Sequence, residues 1–160
     1  VWRYTNPDAQ GRYQQREAFI TGIASGAPQP GGGHTTRTIV FDSTARKLYL
    51  SVGSLCNVCR TEPGQPDHQR AQIEQYNDDG TGRRVFATGV RNAVGMALHP
   101  ATGALWATNN GSDWMGNDIP PEWVGRAGEG AFPRYPFACG AGVCFPITPS
   151  SPQDYRLLLP

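Results

Sequence analysis

Lysine is almost missing from this 160-residue chain: Lys47 stands alone beside 13 arginines, and 14 basic against 13 acidic side chains leave a net charge of +1. The arginines are scattered without a run, which excludes the basic patch a nucleic-acid surface needs. Long apolar runs are missing too. None approaches the roughly 18 to 20 residues that cross a bilayer, so no membrane span is expected, and residues 1–4 do not read as a signal peptide. Helical periodicity is not sustained anywhere, while 20 Gly and 14 Pro punctuate the chain. That composition excludes a coiled coil and points to a soluble all-β chain of short strands and turns.

Cysteine is scarce and paired: Cys56 with Cys59, and Cys139 with Cys144. Two local disulfides in an oxidising compartment, periplasmic or extracellular, are the expectation. A zinc site of four thiolates is the rival, and it asks the two pairs to converge across roughly 80 residues. A thioredoxin-type CxxC would open a helix, whereas Cys56 follows a strand-like run.

What is present in quantity is self-similarity. TIVFDSTARKLYLSVGS, residues 38–54, aligns without gaps on GMALHPATGALWATNNG, residues 95–111, placing Ile39 on Met96, Phe41 on Leu98, Leu48 on Leu105 and Tyr49 on Trp106, each 57 residues apart. VWRY at the start parallels IEQY at 73–76, and FITGI at 19–23 parallels FATGV at 86–90, with offsets of 72 and 67. The five-residue difference predicts a longer turn in the first copy. Each unit reads as four short alternating strands, TRTIVF, KLYLSVG, QIEQYN and RRVFATG. Four-stranded antiparallel units at this spacing are the pattern of β-propeller blades. Residues 1–125 then make a partial propeller of about two blades' worth of strands, and residues 126–160 a loop-rich tail. A closed ring of such units is longer than this chain, so missing blades or neighbouring chains are expected to complete it.

Strands that run up and down a blade sort the loops by face. His34 and Arg91, again 57 residues apart, open the first strands of successive units, followed in register by Thr35 and Asn92. The loops 54–70 and 109–118 emerge at the same face, and the turns NDDGTG and HPATG at the other. NDDGTG is a hairpin turn, lacking the spacing and terminal Glu of a calcium loop.

GGHTTRTIVF, LYLSVGSLCNVC, RVFATGVRNAVGMALHPATGALWATNNGSDW and NDIPPE together resemble the pyrroloquinoline-quinone (PQQ)-dependent sugar dehydrogenases of the sorbosone and soluble glucose dehydrogenase type, over roughly residues 1–125. The resemblance implies a secreted or periplasmic six-bladed propeller with PQQ and Ca²⁺ at the top of the channel. It implies His34 as the base that takes the substrate hydroxyl proton while hydride moves to the quinone, a role suited to imidazole near neutral pH. Arg91 and Asn92 match the pair that binds the cofactor, where a guanidinium would stabilise developing negative charge. Gly111 and Ser112 match the calcium site through backbone carbonyls, with Asp113, Asn109, Asn110 and Asp118 as further oxygens. Each has a plainer alternative: a loop histidine after GGG, a strand-end arginine paired with a carboxylate, a loop that is merely Asn- and Gly-rich. His99 reads as structural, and His68 as a cleft or surface residue. Lys47, in a turn, cannot replace the basic residues that grip the cofactor on blades absent here. Residues 122–140 match only loosely, and after Cys144 the likeness ends. The implied activity is oxidation of a sugar or sugar aldehyde with electrons passed to an external cytochrome or quinone. The alternative is a non-catalytic extracellular propeller fragment that binds glycans or partner proteins.

Overall fold

The computed structural model describes residues 1–24, 33–57, 68–113 and 122–129, and the short strands 139–140 and 143–144. Among the described residues there are eleven strands and no helix. β1 (Trp2–Pro7) and β2 (Tyr13–Ala18) form an antiparallel hairpin. β3 (Ile39–Asp42), β4 (Lys47–Val52), β5 (Gln72–Asn77) and β6 (Arg84–Thr88) form a four-stranded antiparallel sheet in chain order. β7 (Met96–Leu98), β8 (Leu105–Asn109) and β9 (Trp123–Arg126) form a three-stranded sheet, and β10 (Cys139–Gly140) pairs with β11 (Val143–Cys144). The anticipated all-β, antiparallel character is therefore present, as open sheets of two to four strands.

The alternation in KLYLSV works on both faces of the central sheet. Leu48, Leu50 and Val52 are wholly buried on one face with Tyr76 and with Ile20, which follows the first hairpin. Tyr49, Ile73 and Ala87 are buried on the other, against Leu105 and Ala107 of the third sheet. A sheet covered on both faces must present apolar residues at odd and even positions alike, hence the nearly continuous apolar run. Removing one such leucine to Ala would cost about 2–5 kcal/mol. β3 and β7, the first strands of neighbouring sheets, lie side by side, and just before them the Thr38 hydroxyl donates to the Val94 carbonyl at 2.6 Å.

A carboxylate is buried within this packing. Glu74, opposite Leu50, is 0% exposed and accepts from Gln72 Nε2 (2.9 Å), Arg83 Nη2 (2.6 Å) and the Tyr76 hydroxyl (2.5 Å). A carboxylate at that depth is tolerable because a guanidinium and two neutral donors together replace its water. Burial, then the bond to Glu74, pushes the Tyr76 hydroxyl well above its ordinary range.

Three expectations are corrected. The five extra residues of the first copy lengthen the ladder rather than a loop: Trp2 pairs with Ala18 and Pro7 with Tyr13. Asp8 closes the hairpin tip by accepting from the Gln10 and Arg12 amides at 3.0 and 2.9 Å. FITGI is thus no strand, since β2 ends at Ala18 and the Phe19 and Ile20 amides fold back on the Val1 carbonyl. The third sheet also holds a strand that the sequence reading leaves out, because β9 pairs with β8 from Trp106↔Arg126 to Asn109↔Trp123. Four residues containing Gly125 carry too little alternation to announce a strand.

Candidate functional site

Gly53 and Ser54 follow β4, Arg91 and Asn92 follow β6, and His34 precedes β3, so the antiparallel order carries all five to one end of the sheets. Gly53 makes their approach possible. A Cβ there would lie 2.6 Å from His34 Cβ and 2.7 Å from Asn92 Oδ1, a gap that only glycine leaves open. Backbone bonds then link the two predicted residues through Ser54: the His34 amide donates to the Ser54 carbonyl (2.9 Å), and the Ser54 amide donates to the Arg91 carbonyl (2.8 Å). The Asn110 amide continues the link by donating to the Asn92 carbonyl at 3.1 Å.

His34 is half-buried, with Nδ1 at 3.0 Å from both the Ser54 carbonyl oxygen and Ser54 Oγ. Burial chiefly, with the positive charges of Arg91 and Arg70, lowers its pKa against the opposing Ser54 contact and Asp113. A neutral ring near neutral pH can accept a proton.

The Arg91 guanidinium is spent inside the protein. Arg91 is 4% exposed, and Nε donates to the Asn57 carbonyl (3.0 Å) while Nη2 donates to Asn57 Oδ1 and Asp113 Oδ2 (2.9 Å each). Nη1 donates to the carbonyls of Asn110, at 3.3 Å, and of Gly111. Asn57 completes the clamp: its Oδ1 accepts from the Asp113 amide (2.6 Å), its Nδ2 donates to the Asp113 carbonyl (2.9 Å), and its carbonyl accepts from Ser112 Oγ (3.3 Å). Gly111, Ser112 and Asp113 therefore lie against Arg91 and Asn57. Their oxygens do not form a calcium cage in this arrangement, because a guanidinium occupies the Gly111 carbonyl and the Asp113 carboxylate where a cation would have to sit. Among the described residues no group of three His, Cys, Asp or Glu side chains is poised around a metal.

Five residues of the site are not singled out by the sequence: Gly53, Ser54, Asn57, Arg37 and Arg70. Arg70 is 5% exposed and donates from Nε to the Gly53 carbonyl (3.0 Å) and from Nη2 to the His34 carbonyl (2.8 Å). Gln69 and Ala71 on either side of it have φ of 62° and 51°. Two non-glycine residues in the left-handed region cost energy, which the bonds of Arg70 to the site backbone offset. Arg37 Nη1 donates to the same His34 carbonyl at 3.0 Å. Other candidates lie elsewhere. His99 and Asp79 cap turns at the opposite end, Lys47 bonds Asn77 there, and His68 is exposed. Cys56 is disulfide-bonded. Cys59 and Asp118 fall outside the described residues.

The TrAA12-like family matches residues 1–120. An uncharacterized protein of Borreliella burgdorferi is 35% identical over 91 residues, 57% of this chain and 23% of that protein. Two solved structures of Trichoderma reesei Carbohydrate-Active Enzymes Family AA12 share the fold at 21% identity. The iodide structure has a TM-score of 0.62 over 80% of this chain and 34% of that one, and the calcium structure 0.60 over 84% and 36%. The chain thus spans about a third of its solved relatives and less than a quarter of the curated one. The match corrects the assignment to the sorbosone and soluble glucose dehydrogenase type. The motifs behind that assignment are strand ends and close approaches such as Gly53 between His34 and Asn92, which report how sheets meet rather than which family they come from. By the match over three quarters of its length, the chain belongs to the TrAA12-like family.

Proposed function

We propose that the chain is part of a carbohydrate-active oxidoreductase that oxidises a sugar or sugar aldehyde at the His34–Arg91 end of its sheets. The observation that carries the proposal is the convergence of a neutral, half-buried His34 with the buried Arg91 and with Asn92 around Gly53. The description of the solved relatives as carbohydrate-active enzymes supports the substrate class. His34 accepts the hydroxyl proton of the substrate, and the fixed dipoles and charge of the Arg91 clamp orient the reacting oxygen.

Arg91 has no open donor, and with Asn92 it would hold PQQ only by exchanging the exposed Asp113 carboxylate for an anionic oxygen of the cofactor. When bound, PQQ supplies the acceptor for the two electrons that leave the sugar and hands them to an external cytochrome or quinone. The solved calcium structure of a relative is consistent with Ca²⁺ as a second cofactor, which would take the Gly111 carbonyl only once Arg91 releases it.

Stacked antiparallel sheets whose first strands lie side by side support a β-propeller, completed by further blades from a longer chain or by neighbouring chains. The disulfide at Cys56 supports a periplasmic or secreted location. Cys139 pairs with Cys144 in the backbone register of β10 and β11, which supports a second bridge.

The test is reconstitution of the complete protein with PQQ followed by a panel of sugars. A sugar-dependent absorbance change is expected, and His34→Ala should abolish it while the quinone stays bound. Glycan binding without any absorbance change would overturn the reading in favour of a non-catalytic binding protein.

A further inference from the structure

We infer that Ser54 is the positioning residue of the base: it holds His34 with the proton on Nδ1, so that Nε2 carries the lone pair that accepts the substrate proton. The inference deepens the proposed function and rests on it for the identity of the reaction, but not for the state of the ring.

The bonding pattern permits one tautomer. His34 Nδ1 lies 3.0 Å from the Ser54 carbonyl oxygen, which can only accept, so Nδ1 must carry the hydrogen. The Ser54 hydroxyl agrees. Its hydrogen is committed to the Cys56 carbonyl at 2.9 Å, leaving its lone pairs toward Nδ1 at 3.0 Å. A hydroxyl free to rotate could have donated to the ring and favoured the other tautomer; the Cys56 carbonyl takes that freedom away. In the neutral ring the second nitrogen is then unprotonated.

Ser54 is itself buried and bonded at both backbone groups. It is 0% exposed, and its amide and carbonyl bond to Arg91 and to the His34 amide. Arg70 and Arg37 both donate to the His34 carbonyl, and Arg70 also to the Gly53 carbonyl, fixing the backbone on both sides of the ring contact. The charged groups around the ring are Arg91 and Arg70, which oppose its protonation, and Asp113, which favours it; Arg37 joins them from the segment before β3. Ser54 contributes two acceptors and no charge, so the ring is oriented without being made a strong base.

The test reads the ring directly. In the chain carrying ¹⁵N-labelled histidine, the His34 signals above its titration should show a protonated Nδ1 and a bare Nε2, with no substrate or cofactor present. Ser54→Ala keeps the carbonyl and removes the hydroxyl acceptor, so it should leave the proton on Nδ1 but shift the ring signals, loosen the ring and cut turnover roughly tenfold. Ser54→Thr, which keeps the hydroxyl, should restore the signals and the turnover. Ser54→Asp should move the His34 titration and the acid limb of the turnover profile to higher pH, a shift that loosened packing alone would not produce. A wild-type spectrum with the proton on Nε2 overturns the inference. So does a Ser54→Ala spectrum and titration identical to wild type. If Ser54→Ala does not fold, the wild-type spectrum and the Ser54→Asp titration still decide. Absence of sugar oxidation alongside the expected spectrum would count against the proposed function and leave the tautomer standing.

Discussion

At one end of the β3–β6 sheet the turns are closed by carboxylates from a few residues away; at the other, carbonyls are closed by arginines from distant parts of the chain. Asp42 accepts from the Thr44 and Ala45 amides at 3.0 and 2.8 Å, and Asp79 from the Thr81 amide at 2.9 Å. Against these stand Arg70 on the His34 carbonyl, 36 residues away, and Arg91 on the Asn57 carbonyl, 34 residues away. A local cap forms with its own turn and survives changes elsewhere. A long-range cap exists only when the sheets are assembled, and it holds loop backbone in shapes the loop would not choose, as the positive φ at Gln69 and Ala71 shows. The turn end is built to close a hairpin, and the other end to hold a ring and a guanidinium in place.

If the two ends differ in this way, mutations at them should differ in kind. The largest effect belongs to His34→Ala, expected under the proposed function to cut turnover of the complete protein by roughly 10² to 10⁴ with little change in folding; turnover kept at wild-type level would place the chemistry elsewhere. Next comes Arg70→Ala. It leaves the Gly53 and His34 carbonyls short of donors and should cost about 2–4 kcal/mol in denaturant unfolding. A loss below 1 kcal/mol would mean that the long-range caps are ornamental.

The pH response follows from the lowered pKa of His34. The unfolded ring protonates near about 6.5, and the native ring at lower pH, so stability is full above that value. It falls as the pH drops through the window between the two, because the unfolded chain binds the proton first. The acid limb of turnover should likewise sit below the ordinary histidine range. Melting curves of wild type and His34→Gln across that window check the sign, since only wild type should lose stability through this ring. The smallest effect lies at the turn end. Asp42→Ala should cost about 1 kcal/mol and leave turnover unchanged. A change in turnover there would dissolve the distinction between the ends.

The same contrast explains what could be read before the fold was known. The turns were legible because Asp, Gly and Asn act within a few residues: NDDGTG places Gly80 and Gly82 at φ of 85° and 65°. The common offset of His34 and Arg91 was legible because it repeats. The clamp on Arg91 was not, for nothing in SLCNVC says that Asn57 meets a guanidinium 34 residues on. β9 was missed because its pairing with β8 comes from the ladder and the core around Ala127, not from the four residues themselves.

Alternation, turn residues and the 57-residue offset by themselves determined an all-β chain of short antiparallel strands in repeated units, with His34 and Arg91 at equivalent positions. They could do so because side-chain period and turn chemistry are local properties of the chain. Only the tertiary structure decided that Gly53 lets His34 and Asn92 meet, that Ser54 holds the ring, and that Arg91 spends its donors on the 109–113 loop rather than keeping them free. Those outcomes depend on which carbonyls are left unpaired when sheets stack, and a buried carbonyl takes whichever donor the fold brings within reach.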